Sequence, residues 1–202
     1  MSVLFVNACL RSDSRTKILA DEVLSHIKQK SIAEAAKTAE IEEVNLAQNP
    51  VLPLSTASLQ QRNELLRNKK LDDTAFANAR QFAAADEIII AAPFWDLSFP
   101  AALKAYIEDI NISGITFKYT GSGEIKGLCK AHRLIYVTTA GGAIPEENCG
   151  FGYIKSLCEH LYGIKNLVFI KAEWMDIWGA DIGDILRKSK QNIPALLDSP
   201  QE

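Results

Sequence analysis

Cysteine and histidine are both scarce in this sequence of 202 residues, which contains four cysteines and three histidines. The cysteines are Cys9, Cys129, Cys149 and Cys158, and no two of them form a Cys-x-x-Cys pair. Zinc sites and disulfide frameworks need these residues in clusters at close spacing. The sequence therefore predicts neither a metal site nor a disulfide framework.

Long hydrophobic runs are also missing near the start of the chain. The apolar run at residues 3–6 is far shorter than the ~20 residues that span a bilayer. The opening residues, MSVLFVNACLRSDSRT, lack the charged n-region and the length of a secretory signal peptide. We therefore expect a protein of the reducing cytoplasm that has no membrane partner.

An excess of positive charge is missing as well, since 22 basic and 25 acidic residues give a formal net charge of −3. Proteins that bind nucleic acid gain affinity from a basic excess, so nucleic acid is not an expected partner. The 48% hydrophobic and 23% charged residues are ordinary for a globular chain. With no repeat or linker in view, we expect a single domain over residues 1–202.

Apolar runs and helical patterns alternate along the chain, which is typical of α/β proteins with a parallel sheet. The predicted strands are at residues 3–6, 41–46, 87–92, 133–139 and 167–174. The predicted helices are at residues 17–29, 59–85, 100–110, 148–162 and 180–197, and an irregular stretch is expected at 111–130. The alternation predicts a doubly wound sheet, in which ligands bind beyond the carboxyl ends of the strands.

The loop after the first predicted strand, NACLRSDSRT, is suited to an anion. It offers hydroxyl groups at Ser14 and Thr16 and guanidinium groups at Arg11 and Arg15, and it leads into a helix N-terminus. Such groups bind a phosphate monoester. The same residue types also serve as a plain helix N-cap, so both interpretations stay open here.

Two further loops have unusual compositions. The loop after the third strand consists of Pro93, Phe94, Trp95, Asp96, Leu97, Ser98, Phe99 and Pro100. Aromatic walls and exposed amides suit a flat heteroaromatic ring. The loop after the fourth strand contains Thr139, Ala140, Gly141 and Gly142, and paired glycines allow a backbone to approach a ligand closely. Because the three loops follow strands of one sheet, we expect them to meet at one ligand.

A competing motif lies in the first loop. Cys9 and Arg15, followed by Thr16, fit a Cys-x5-Arg-Thr pattern that resembles the low-molecular-weight protein tyrosine phosphatases. In that arrangement a thiolate attacks phosphorus while the arginine binds the oxygens. The chain has no Asp-Pro dipeptide to supply the leaving-group acid, and the loop has no glycine. These two absences disfavour the phosphatase. Because the cysteine and arginine spacing fits, a phosphatase-like hydrolase is kept as an alternative.

The segment AAPFWDLSFPAALKAYIEDINISGITFKYTGSGEIKGL, residues 91–128, resembles the flavodoxin-like FMN-dependent NADH azoreductases and the wider NAD(P)H:quinone oxidoreductase group. SDSRT and TAGG match the phosphate-binding run and the glycine loop of these families, and the resemblance covers almost the whole chain. It implies a five-stranded parallel sheet of order 2-1-3-4-5 with helices on both faces, tightly bound FMN and a homodimer. It also implies hydride transfer from NADH or NADPH through flavin N5 to quinones or azo compounds, in a ping-pong cycle.

The resemblance assigns roles position by position. Ser14, Arg15 and Thr16 would hold the FMN phosphate, with Cys9 or Arg11 nearby. Residues 93–97 would line the ring, and Thr139, Ala140, Gly141 and Gly142 would approach its pyrimidine edge. Phe117, Tyr119 and Tyr162 would shape the substrate pocket. No catalytic acid or base is implied, and none of the three histidines is assigned such a role.

Two positions depart from the pattern of these families. Asp96 stands where asparagine is common, and a carboxylate near N1 or O2 of the flavin is expected to lower its potential. Ala140 stands where arginine is frequent, so one polar contact is missing. A non-catalytic flavodoxin-like electron carrier is the second alternative, but the weak net charge and the long stretch 111–130 favour an enzyme.

Overall fold

The computed structural model describes residues 1–33 and 39–198. Its central strands are β1 (Ser2–Asn7), β2 (Glu40–Asn45), β3 (Glu87–Ala91), β6 (Arg133–Thr139) and β7 (Asn166–Ala172), while β4 (Phe117–Tyr119) and β5 (Ile125–Gly127) form a separate antiparallel pair. The central sheet is parallel and has the order β2-β1-β3-β6-β7. Counted within that sheet, the order is 2-1-3-4-5, so the predicted doubly wound fold is confirmed.

Helices cover both faces of this sheet. The α-helices within the described residues are α1 (Arg15–Ala33), α2 (Thr56–Arg67), α3 (Ala77–Ala84), α4 (Ala101–Ile110), α5 (Phe151–Leu157), α6 (Ile182–Gln191) and α7 (Ile193–Asp198). One hydrophobic core lies between the sheet and α3, α4 and α5, and a second lies between the sheet and α1, α6 and α7. No helix in the described ranges combines the length and the apolar character that crossing a bilayer requires.

The two cores follow from the alternation of side chains along each strand. In β3, Ile88 and Ile90 face one core, while Ile89 and Ala91 face the other. Every residue of β3 is buried, as expected of a parallel strand covered on both faces. This burial explains why its sequence reads as one continuous apolar run.

The predicted helix over residues 59–85 is wrong, because two helices and a short 3₁₀ turn occupy this region. The first helix, α2, begins at a capping box formed by Ser55 and Ser58, and it is followed by Lys69 in a left-handed conformation with φ of 54°. A residue of this conformation just past a helix ends it. Asp73 then caps the 3₁₀ turn Thr74–Phe76 that leads into α3.

Three other predicted boundaries also change. The stretch 111–130 is not wholly irregular, because it contains the β4–β5 hairpin. The helix predicted at 180–197 is divided between α6 and α7, because Pro194 has no N–H to continue the hydrogen bonding of α6. The helix predicted at 148–162 changes after Leu157 into a π-helical turn that ends at Gly163, where φ is 77°.

Candidate functional site

A cavity of about 190 Å³ lies where the loops after β1, β3, β6 and β7 meet, at the carboxyl edge of the sheet. Most of the residues predicted to bind the cofactor line it. They are Arg11, Ser14, Arg15, Thr16, Pro93, Phe94, Trp95, Thr139, Ala140 and Gly141. The structure therefore brings together the three loops that the sequence predicts to meet at one ligand.

Backbone hydrogen bonds join these loops to one another. The Phe94 N–H donates to the Thr139 carbonyl at 3.0 Å, which links the loop after β3 to the end of β6. The N–H groups of Met175 and Asp176 donate to the carbonyls of Ala140 and Gly141 at 3.2 and 3.0 Å. The cavity wall is therefore held largely by main-chain contacts.

One end of the cavity is suited to an anion. The 19-residue helix α1 begins here at Arg15, and the first N–H groups of a helix have no partner within it. The Ser14 hydroxyl oxygen accepts from the Lys17 N–H at 3.3 Å, so Ser14 does cap the helix, and its O–H can donate either to the nearby Cys9 thiol or to an anion. The N-cap interpretation and the anion-site interpretation are therefore compatible.

The side chain of Thr16 is more buried than a simple phosphate contact requires. Its residue is 0% exposed, and its hydroxyl oxygen lies 2.7 Å from that of Thr139. One of the two hydroxyl protons is used between these oxygens, so the pair retains one proton for a ligand. Thr16 thus also fastens the start of α1 to the end of β6.

Arg15 is held by the loop that follows β7. Its Nη1 donates to Asp176 Oδ1 at 2.7 Å and to the Met175 carbonyl at 3.3 Å. The Asp176 carboxylate fits only because Gly141 has no side chain: a Cβ atom there would lie 2.4 Å from Asp176 Oδ2. The Arg15 guanidinium is therefore bound by the loop after β7, and the loop after β6 leaves room for the carboxylate that binds it.

The other end of the cavity is aromatic. The guanidinium carbon of Arg11 lies 5.6 Å from the centre of the Trp95 ring, within the range of a cation–π contact. Trp95 and Ser98 exchange backbone hydrogen bonds of 3.2 and 2.7 Å around a tight turn. Its central residues, Asp96 and Leu97, both have positive φ, at 50° and 63°. Such a turn normally takes Asn or Gly, so Leu97 is strained here.

Four predicted cofactor residues lie outside the cavity lining. Asp96, Leu97 and Gly142 belong to the same loops but are not among its lining residues, and the fourth, Cys9, is buried beneath it. Asp96 is exposed, so an effect of its carboxylate on a bound ring stays a prediction.

The environment of Cys9 argues against the phosphatase. Its thiol donates to the Ala91 carbonyl at 3.7 Å, and burial raises the pKa of this thiol to about 11. A nucleophilic cysteine needs a lowered pKa, because the thiolate is the reactive form. Arg15, the other half of the motif, is paired with Asp176.

The three predicted substrate residues are not in the cavity lining either. Tyr162 is 3% exposed, donates to Asn111 Oδ1 at 2.6 Å and packs on Phe82, so the structure removes it from the candidate pocket. Phe117 and Tyr119 lie in the β4–β5 hairpin between α4 and β6. The chain after this hairpin bonds to the Ala83 and Asp86 carbonyls just before β3, at the amino edge of the sheet.

Four lining residues were not predicted from the sequence: Leu10, Asp13, Met175 and Asp176. Leu10 and Asp13 belong to the loop after β1, other residues of which were predicted to bind the cofactor. The other two follow the fifth strand of the sheet, which ends at the same edge. Ligands of such sheets bind beyond the carboxyl ends of the strands, and the loop after β7 also follows such an end. Its residues could therefore have been predicted from the sequence.

Comparison with known proteins places the chain in a family. A family model described as "Flavodoxin-like fold" matches residues 1–196. The chain therefore belongs to this flavodoxin-like family, a class of α/β proteins.

Individual relatives of this chain have more specific names than the family model. "FMN-dependent NADH:quinone oxidoreductase 2" of Clostridium perfringens (strain 13 / Type A) is 31% identical over 184 residues, which is 89% of each chain. The protein of the same name from Clostridium acetobutylicum is 44% identical over 116 residues, but these are only 55% of this chain and 57% of that protein. The resemblance noted in the sequence is thus confirmed.

Solved structures agree on the fold. The crystal structure of an azoreductase from Bacillus anthracis str. Sterne superposes with a TM-score of 0.82 at 21% identity, covering 96% of this chain and 97% of the other. At this level of identity the likeness concerns the fold alone.

Proposed function

We propose that this protein is an FMN-dependent oxidoreductase that transfers hydride from NADH or NADPH to quinones or azo compounds. The observation that carries the proposal is the cavity at the carboxyl edge of the sheet, where a helix N-terminus and Arg15 lie at one end and an aromatic loop, contacted by Arg11, lies at the other. Relatives named as FMN-dependent NADH:quinone oxidoreductases support the same activity.

The residues present fit FMN. A phosphate dianion requires hydrogen-bond donors and positive charge, which Ser14, Arg11, Arg15 and the start of α1 supply. A flat ring requires an apolar wall and backbone groups, which Phe94 and Trp95 supply. We therefore assign the phosphate to the loop after β1, and the ring to the space between the loops after β3 and β6.

When bound, FMN supplies the redox centre that accepts hydride from one substrate and delivers it to the next. The protein then needs to bind the FMN, orient its ring and leave the ring accessible to the two substrates. We assign no side chain as a catalytic acid or base. Donor and acceptor would use the same space in turn. Steady-state kinetics test this point: parallel double-reciprocal lines support the ping-pong cycle, and converging lines contradict it.

We further propose that the active unit is a homodimer. Exposed apolar residues stand on the loops around the cavity: Leu97 is 63% exposed and Trp178 99%. Tyr119, 61% exposed on the β4–β5 hairpin, does not line the cavity of its own chain. A second copy would cover these surfaces and bring such a side chain to a cavity. Light scattering after gel filtration tests this, and a monomer would contradict it.

Purification distinguishes the three candidate functions. A yellow protein whose flavin spectrum bleaches with NADH and recovers with a quinone supports the reductase. Bound flavin without turnover by NADH or NADPH would instead indicate an electron carrier. Colourless protein that hydrolyses an aryl phosphate, with loss of that activity in Cys9→Ser, would indicate the phosphatase. If FMN binds, Ser14→Ala combined with Thr16→Ala should weaken it.

A further inference from the structure

Arg15 makes two contacts, and both use the same nitrogen. Nη1 donates to the Asp176 carboxylate and to the Met175 carbonyl. A guanidinium group has five N–H donors in a fixed plane, so the three on Nη2 and Nε remain for another acceptor. In the described part of the chain, no hydrogen bond from these two nitrogens is found. A second anion can therefore bind Arg15 without displacing Asp176.

The loop that carries Asp176 is itself well anchored. Its neighbour Met175 is 3% exposed, and the Asp176 N–H donates to the Gly141 carbonyl at 3.0 Å. The carboxylate also lies against the Cα side of Gly141, where a Cβ atom would collide with it. The backbone of Asp176 is therefore held in place, and its side chain, which is 70% exposed, reaches Arg15 from there.

We propose that Asp176 is a positioning residue for phosphate recognition: it holds the Arg15 guanidinium so that its free N–H groups face the cavity and meet the FMN phosphate. This inference rests on the proposed function. A free arginine side chain loses rotamer entropy when it binds a ligand, and a guanidinium already oriented by a neighbour loses less. Asp176 would thus act on the phosphate through Arg15, with no contact of its own to the ring.

Two other roles for Asp176 predict results that differ from those of a positioning residue. As a competitor for Arg15, its negative charge would weaken phosphate binding, and removing it would strengthen FMN binding. As a purely structural residue, it would support every ligand of the cavity equally. Riboflavin, which has the ring but no phosphate, separates these roles.

The experiment measures dissociation constants of FMN and riboflavin by flavin fluorescence, using flavin-free wild-type protein, Asp176→Asn, Arg15→Ala and the double variant. We expect Asp176→Asn to weaken FMN about threefold to fivefold, the range of an exposed ion pair. Arg15→Ala should weaken FMN by about tenfold or more. Riboflavin affinity should change by less than about twofold in each, and the melting temperature shows whether the fold is kept.

The double variant provides the decisive comparison. If Asp176 acts through Arg15, adding Asp176→Asn to Arg15→Ala should change FMN affinity no further. Tighter FMN binding by Asp176→Asn, an equal loss for both flavins, or a full additional loss in the double variant would each overturn the inference. A wild-type protein that binds neither flavin would overturn the proposed function itself, which is a different result.

Discussion

Replacing Gly141 by alanine perturbs the Arg15–Asp176 pair without substituting either charged residue. The new Cβ atom would lie 2.4 Å from Asp176 Oδ2, 2.9 Å from its Cγ and 3.0 Å from its Cβ, whereas ordinary contact begins at 3.4 Å. Rotation of the Asp176 side chain relieves the first two contacts but not the third, so the backbone of the loop after β7 must also move. Because the Asp176 side chain is 70% exposed, the cost in stability should lie at the low end of overpacking, about 1 kcal/mol.

The expected effect on binding follows from the displaced carboxylate. Without Asp176 in place, Arg15 loses its anchor, so Gly141→Ala should weaken FMN about threefold to fivefold relative to riboflavin. Denaturant unfolding measures the stability, and flavin fluorescence measures both dissociation constants.

Gly142→Ala is the matched control, because the space around a Cβ atom at Gly142 is open to 4 Å and its φ is not positive. If Gly142 approaches the ring, the control changes both affinities together and leaves their ratio unaltered. The reasoning is refuted if Gly141→Ala and Gly142→Ala have the same stability and the same ratio of FMN to riboflavin affinity.

Three other predictions concern the rest of the fold. Glu87 and Arg133 form a buried ion pair, so Glu87→Gln should cost about 3 kcal/mol in urea unfolding, whereas replacing both residues by leucine should recover most of it. A hydrogen bond from Lys130 is the main reason that the pKa of Asp86 is lowered from 3.8 to about 2, so this carboxylate stabilises the fold above pH 4 and loses its effect as the pH falls to 2. Asp86→Asn should thus cost about 1 kcal/mol at pH 7, and the difference in unfolding free energy should shrink below pH 4. Cys149 is exposed, so it alone should react rapidly with a thiol reagent in the folded protein, while the other three cysteines, whose thiol pKa values are raised by burial, react only after unfolding.

The sheet was predictable because its three inner strands, β1, β3 and β6, are buried on both faces. A strand such as β3 must be apolar throughout, and the alternation with helices limits the connections to a few topologies. Helix ends were less predictable. The end of α2 depends on the left-handed conformation of Lys69, and residue type alone does not reveal this conformation.

The candidate site was predictable to the extent that it follows strand ends. Arg15 was expected at the anion end, but its partner Asp176 lies 161 positions along the chain. The pair exists only because β7 lies beside β6 and because Gly141 leaves room for a carboxylate. Cys9 and Tyr162 have residue types that suit a site, and their burial became visible only in three dimensions.

The central claim, that the cavity at the carboxyl edge of the sheet holds FMN for hydride transfer, is tested most directly by a spectrum. Protein loaded with FMN should show a flavin absorption that bleaches on anaerobic addition of NADH or NADPH and returns when a quinone is added. The same cycle in Ser14→Ala combined with Thr16→Ala should need more FMN to load the protein. A protein that takes up no FMN, or whose bound FMN neither nicotinamide donor reduces, would contradict the account.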